Sequence, residues 1–362
     1  MKTKIHSKNF DKIIPQIVPI IEYLKNIIGK TQFQYLVVYI IGLILLENRQ
    51  TMRNISLWLK LCYHDSLSRL LLSLELPLKV LSKIFISFIE LNRQCRGYVI
   101  IDDVVISKRF SRVIECVGYA WCSKEGRRVN GIHIGVLFWS DGHWRIPIGF
   151  RLWRQKYKTR NYYTKLELAL KLIIDSADFC KSCDYLVFDS WYCSKKFLRL
   201  MKNFGITCVG SLGRNRNIIF NGQKVKLSEL NSLNDIVTLP KVGEVYIYRT
   251  NIGVRVHYLV CTDITITSTE LRRRYKTRWI IEEYFRFTEQ RLGLCSCQCR
   301  KNKAVVNHIT IVFIAYFVLE LLSKEFYTEP YSMKRILQDE FYENTEGFVE
   351  LKQRRDILKI AA

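Results

Sequence analysis

Leu and Ile recur at helical spacing through the first 95 residues, as in Val80, Leu81, Ile84, Phe85 and Phe88, with few glycines and only three prolines. That period predicts an all-helical region over 1–95. Within it, residues 51–61 follow Glu47-Asn-Arg-Gln and place polar and basic residues before an apolar face. They read as the second half of a helix pair, either a helix-turn-helix that touches DNA or plain helical packing. After Gly97 the period changes. Residues 98–106 (YVIIDDVVI), 131–139 and 143–153 are strand-like, the last two separated by Ser140-Asp-Gly, and they predict three consecutive meandering strands. A helix is expected over 164–180, a fourth strand over 185–188 ending in Asp189, a helix over 194–204 and a fifth strand over 206–210. This order predicts an α/β fold, a mixed sheet with helices on its faces. Residues 217–262 alternate in short runs with Asn-Gly and Asn-Ile-Gly turns, a β-rich insertion. One long helix is then expected from Ser268-Thr269-Glu270 to about 292, stopped by Gly293. The expected division is 1–95 helical, 96–216 first part of the core, 217–264 insertion, 265–325 remaining core helices and 326–362 a helical tail.

The two most apolar stretches, 35–46 and 304–322, raise the question of a membrane. The first falls short of the ~20 residues a span needs; the second carries Asn307, His308 and Glu320. Both are expected to be buried helices. The basic residues 1–9 are not followed by a signal-type segment, so no export is expected. Lys and Arg number 57 against 33 Asp and Glu, a net charge of +24. A surplus that large predicts a polyanionic partner, nucleic acid ahead of an anionic membrane face. Of the 12 cysteines, only Cys180-x-x-Cys183 and Cys295-x-Cys297-x-Cys299 cluster, and neither has the paired spacing of a structural zinc site. Reduced thiols in a cytoplasmic protein are the expectation.

Asp102 and Asp189 each interrupt or end an apolar run, which in a mixed sheet places a carboxylate at a ligand-binding edge. A turn or helix cap is the ordinary alternative for either. Two neighbouring carboxylates are tolerated best with a divalent cation between them, and Mg²⁺ prefers such oxygens. The long helix offers a third acid. At about 100° per residue, Tyr275, Arg278, Glu282, Arg286 and Glu289 share an arc of about 80°. Arg272, Arg273, Arg274, Lys276 and Arg278 crowd the helix start with more cations than nearby acids neutralise, which points to phosphate contact.

The segments VIIDDVVISK around Asp102, LVFDSWYCSKKFL around Asp189 and YKTRWIIEEYFRFTEQRLGL around Glu282 resemble the catalytic core of DDE insertion-sequence transposases. The branch is the one marked by Tyr-x2-Arg-x3-Glu-x6-Lys. Tyr275, Arg278 and Glu282 match that spacing; position 289 is Glu where the signature has Lys, and Arg286, a turn earlier, is expected to take its place. Val104 stands where the family often has Thr, and Asp103 competes with Asp102 as first ligand, Asp102 being preferred. The resemblance implies a ribonuclease-H-like fold in which Asp102, Asp189 and Glu282 hold two Mg²⁺ ions, with Mn²⁺ able to substitute. These would serve cleavage of element ends and their transfer to target DNA. It also implies terminal inverted repeats as DNA partners, a homodimer when assembled on DNA, and a cytoplasmic, nucleoid-associated protein. A nuclease that only hydrolyses and an inactive DNA-binding remnant are the alternatives.

Residues 151–165 hold Arg151, Arg154, Lys156, Lys158, Arg160 and Lys165, no acid, and interleaved Trp153, Tyr157, Tyr162 and Tyr163. Cations hold phosphates and rings stack on bases, so this stretch joins Arg274, Tyr275, Arg278 and Arg286 as a candidate DNA contact. Trp191 either packs or meets a distorted DNA end. His133, His143 and His257 are expected to be structural.

Overall fold

The computed structural model describes residues 24, 27–93 and 96–343; the start of the expected helical region and the end of the expected tail lie outside them. The first elements are α1 (Lys30–Leu45), α2 (Met52–Leu59), α3 (His64–Ser73), α4 (Leu78–Arg93), β1 (Tyr98–Ser107), β2 (Gly118–Cys122), β3 (Arg127–Ser140) and β4 (Arg145–Trp153). Next come α5 (Lys165–Asp175), α6 (Ala177–Ser182), β5 (Tyr185–Phe188), α7 (Lys195–Asn203), β6 (Cys208–Leu212), β7 (Asn217–Phe220), β8 (Gln223–Lys226), β9 (Asn234–Leu239), β10 (Gly243–Ile252) and β11 (Arg255–Cys261). The last are α8 (Ser268–Lys276), α9 (Trp279–Arg291), α10 (Asn302–Glu325) and α11 (Pro330–Glu343). The described residues divide into two compact units that interleave along the chain: those within 24–84, 105–132 and 284–343 in one, those within 85–104 and 133–283 in the other.

The first unit is built on α10. That helix is apolar on every side, and a helix of this kind is stable only when surrounded. Nearly all of it is buried, with α1, α3 and α11 against it. It is the one described helix long and apolar enough to cross a membrane. Two of its polar side chains are well partnered: Asn307 donates to the carbonyls of Leu71 (2.8 Å) and Leu74 (2.9 Å), and His308 lies 3.0 Å from both the Tyr39 hydroxyl and the Gly293 carbonyl. α1 and α2 meet at Gly42, where a Cβ would fall 2.5 Å from Ile55.

In the second unit the strand order is β3-β1-β5-β6-β11-β10-β9-β7-β8, with β4 paired to β3 off this path. β1, β5 and β6 are parallel neighbours, whereas β11 returns antiparallel against β6, so the sheet is mixed. The structure departs from the sequence pattern in five places. β2 was not expected; it pairs with the start of β3. The helix expected over 164–180 is two, parted at Ser176, whose φ of −128° is not helical. The fifth strand starts two residues late, at Cys208. The strands of the expected insertion extend the core sheet instead of standing apart from it, because β11 satisfies the open edge of β6. The long helix is broken between α8 and α9: the Thr277 hydroxyl takes the Arg274 carbonyl at 2.6 Å, and Arg278 and Ile281 bond three residues back.

Candidate active site

The β1/β5 register pairs Ile101 with Phe188, so Asp102 and Asp189 occupy the next matched positions on parallel neighbours. Strand β1 itself runs on to Ser107, so Asp102 lies within it, whereas Asp189 directly follows β5. The Asp189 Oδ1 accepts the backbone N–H groups of Trp191 (3.0 Å) and Tyr192 (3.3 Å), so this carboxylate caps the turn that follows β5. Glu282 sits in the first turn of α9. Arg278, in the break before that helix, donates to Asp102 Oδ2 at 2.9 Å and to Glu282. One guanidinium therefore spans the first and third acids of the expected set.

The electrostatics follow from burial. Desolvation pushes Asp102 up to about 7 against the pull of Arg278, with Asp189 and Asp103 adding to the rise. Asp189 is raised for the same first reason. Burial works against the charge of Arg278, but Asp102 and Glu282 more than restore it. Among the described residues no three His, Cys, Asp or Glu side chains form a ready metal cage. Arg278 supplies the positive charge between Asp102 and Glu282 instead.

Asp103, the alternative first ligand, is engaged elsewhere: Lys165 donates to it at 2.6 Å and the buried Tyr192 hydroxyl at 3.3 Å. Lys165, expected on a DNA-facing loop, is instead half-buried among the acids, 5.8 Å from the centre of the Trp191 ring. Trp191 is 53% exposed. Arg145 holds Glu283 at 3.1 Å. Neither the Lys165–Asp103 nor the Arg145–Glu283 pair was evident in the sequence; the tandem aspartates and a lysine at a helix start were the only signals.

The other expected contacts separate by partner. Tyr275 is buried, hydrogen-bonded to Ser211 and Arg278. Arg274 pairs with Glu270 at 2.7 Å and lies 5.0 Å from the Tyr185 ring, and Arg273 shares the same glutamate. The cation excess at the helix start is thus partly neutralised; Arg272 and Lys276 are exposed without an acidic partner among the described residues. In the 151–165 stretch Arg151 pairs with Asp175, while Lys156, Lys158 and Arg160 are exposed and Arg154 is half-buried. Arg286 is exposed on α9. Glu289 is ion-paired to Lys124, from the turn between β2 and β3. The α2 helix has a Thr51 cap and buries Ile55 and Leu59. No disulfide joins the described cysteines. His133 is buried against Trp153, His257 lies near Tyr275, and His143 is in the turn between β3 and β4 rather than in a strand.

A family profile described as DDE superfamily endonuclease matches residues 22–231, more than half of the chain. The match includes Asp102 and Asp189 and ends before Glu282. Among solved structures, the chain is similar to one described as the cryo-EM structure of piggyBac transposase synaptic complex with hairpin DNA. The TM-score is 0.50 at 13% identity, over 90% of this chain and 72% of that one. At that identity the likeness is one of fold, the mixed sheet with flanking helices of the ribonuclease-H-like type. No curated protein matches the chain in sequence.

Proposed function

Because the chain belongs to the DDE superfamily endonucleases, we propose that it is a DNA transposase that cuts the ends of a mobile element and joins them to target DNA. The observation that supports this most is the placement of Asp102 within β1 and Asp189 directly after its parallel neighbour β5, with Glu282 tied to Asp102 through Arg278.

The donor set fits Mg²⁺ or Mn²⁺. All three groups offer hard oxygen ligands, and two half-buried acids with raised pKa are a pair that a divalent cation would hold ionised. Glu282 joins them once Arg278 turns away. Bound there, two ions would activate a water or a DNA 3′-hydroxyl and neutralise the leaving oxygen. The chain's own side chains position the DNA. Arg278, once released, and Lys165 are cations already at the carboxylates, suited to the scissile phosphate. The exposed Lys156, Lys158 and Arg160, with Arg154 and Arg286, hold backbone phosphates, Arg286 in the place of the lysine that position 289 lacks. Tyr275 orients Arg278, and Trp191 stacks on a displaced base. Two copies assemble on DNA, since two ends must be joined.

Duplexes carrying the inverted repeats that bracket the reading frame should be nicked only with Mg²⁺ or Mn²⁺. Asp102→Asn and Asp189→Asn should each slow nicking by about a thousand-fold or more, the several kcal/mol of charge stabilisation at stake, with gel-shift affinity retained. Unchanged nicking in either variant would refute the site. Two observations favour a second reading, the acid at 289 and Val104 after the aspartates. An inactive remnant would shift DNA without nicking it, and a hydrolysis-only nuclease would nick but fail to join pre-cut ends.

A further inference from the structure

The hairpin made by β2 and the start of β3 carries a surface that the carboxylate site does not use. β2 pairs with the start of β3 and with no other described strand, so among the described residues one of its edges is unpaired. Its alternation turns Gly118 and Cys122 inward and leaves Tyr119 and Trp121 outward, 55% and 57% exposed. Rings at alternate strand positions stand about 7 Å apart on one face. The register sets Arg128 directly across from Trp121 and Asn130 across from Tyr119, and directly opposed residues share a face.

The charge around these rings is one-sided. Residues 105–132 contain six Lys and Arg against two Asp and Glu. Arg109 and Arg127 share Glu125, at 2.5 Å and 3.2 Å, and Lys124 is held by Glu289. Lys108 donates to the Cys295 and Cys297 carbonyls. Arg112 and Arg128 are exposed with no acidic partner among the described residues. Aromatic rings and Arg also suit a protein partner, but six cations against two acids around this face favour a polyanion. Aromatic rings set among uncompensated cations on a sheet match what an unpaired nucleic-acid strand needs: flat surfaces for its bases and positive charge for its phosphates.

Resting on the DNA-transposase reading above, we propose that this hairpin face binds an unpaired DNA strand. Tyr119 and Trp121 stack on two successive bases, and Arg128 holds a phosphate between them.

The test uses the full chain with two fluorescein-labelled probes of about 20 nucleotides, long enough to exceed a site of ~4–16: oligothymidine and a mixed-sequence duplex. Tyr119→Ala/Trp121→Ala should weaken oligothymidine binding about tenfold or more and leave the duplex affinity and the melting temperature unchanged. Trp121→Phe, which keeps a ring, should retain most of the affinity while losing tryptophan quenching. Arg128→Ala should reduce the slope of log affinity against log salt by about 0.7 for the single strand. Oligothymidine binding that survives the double substitution in a folded protein overturns the proposal. So does self-association that depends on these two rings without any effect on the strand. If wild type binds neither probe, the DNA-partner reading falls with it; if it binds the duplex but not the strand, only this proposal falls.

Discussion

Arg278 lies against two of the three acids, and still burial raises Asp102 to about 7, so its pull is not enough to keep that carboxylate in its ordinary range. A divalent cation bound there would compete with the guanidinium for the same oxygens. Replacing the guanidinium by a neutral amide removes the competitor. Arg278→Gln should raise Mn²⁺ affinity in the DNA-free protein by about tenfold, the equivalent of ~1.4 kcal/mol, as read by titration calorimetry. Equal or weaker Mn²⁺ binding in a folded variant would show that Arg278 helps assemble the ion site and does not occupy it. At this scale the sequence carried the three acids and the four-residue step from Arg278 to Glu282, because both are local patterns. It did not carry the Arg278–Asp102 contact across 176 residues, or Lys165–Asp103 across 62, since nothing local marks which cation meets which acid.

Between elements, the best-defined non-local device is the end of α1. The last carbonyls of a helix have no partner within it, and here α11 supplies them. The buried Lys334 donates to Leu43 at 3.0 Å, to Ile44 and to Leu46 at 3.1 Å, and Gln338 donates to Leu45 at 3.1 Å. Burial lowers the Lys334 amine to about 7, with Arg291 adding to the fall and Glu47 opposing it. Below about 7 both folded and unfolded chains hold the proton. Between about 7 and the ordinary 10.5 only the unfolded chain does, so stability rises with pH through that window. Lys334→Met should flatten the rise, and at neutral pH it should cost about 1–3 kcal/mol for the carbonyls left unsatisfied. Urea melts at pH 7 and pH 10 would check both; a variant with the wild-type pH slope would exclude the lysine as its source. The sequence showed α1 and α10 as buried helices, the first through an apolar run too short for a span and the second through one broken by Asn307, His308 and Glu320. It could not show this cap, whose donor is 291 residues from its first acceptor. The break at Thr277 was also hidden, because a single threonine is compatible with a continuous helix and only its bond to the Arg274 carbonyl reveals the interruption.

Across the whole molecule, the surplus of +24 was plain in the composition, yet the cations are not equivalent once folded. Arg274 is committed to Glu270, and Arg151 to Asp175. Lys156 and Arg160 are exposed with no acidic partner among the described residues. Only cations that are available to phosphate release counterions on binding, and each such contact adds about 0.9 to the slope of log affinity against log salt on duplex DNA. Lys156→Ala and Arg160→Ala should each lower that slope by nearly one, and Arg286→Ala should do so if it replaces the missing lysine of position 289. Arg274→Ala should leave the slope close to that of wild type, because its charge is already met by Glu270 within the protein. Fluorescence titrations of a duplex from low to physiological salt would measure this. Equal slope losses for Arg274 and Lys156 would mean that DNA draws Arg274 away from its glutamate, and that the ion pairs of the DNA-free chain are exchanged for phosphate contacts on binding.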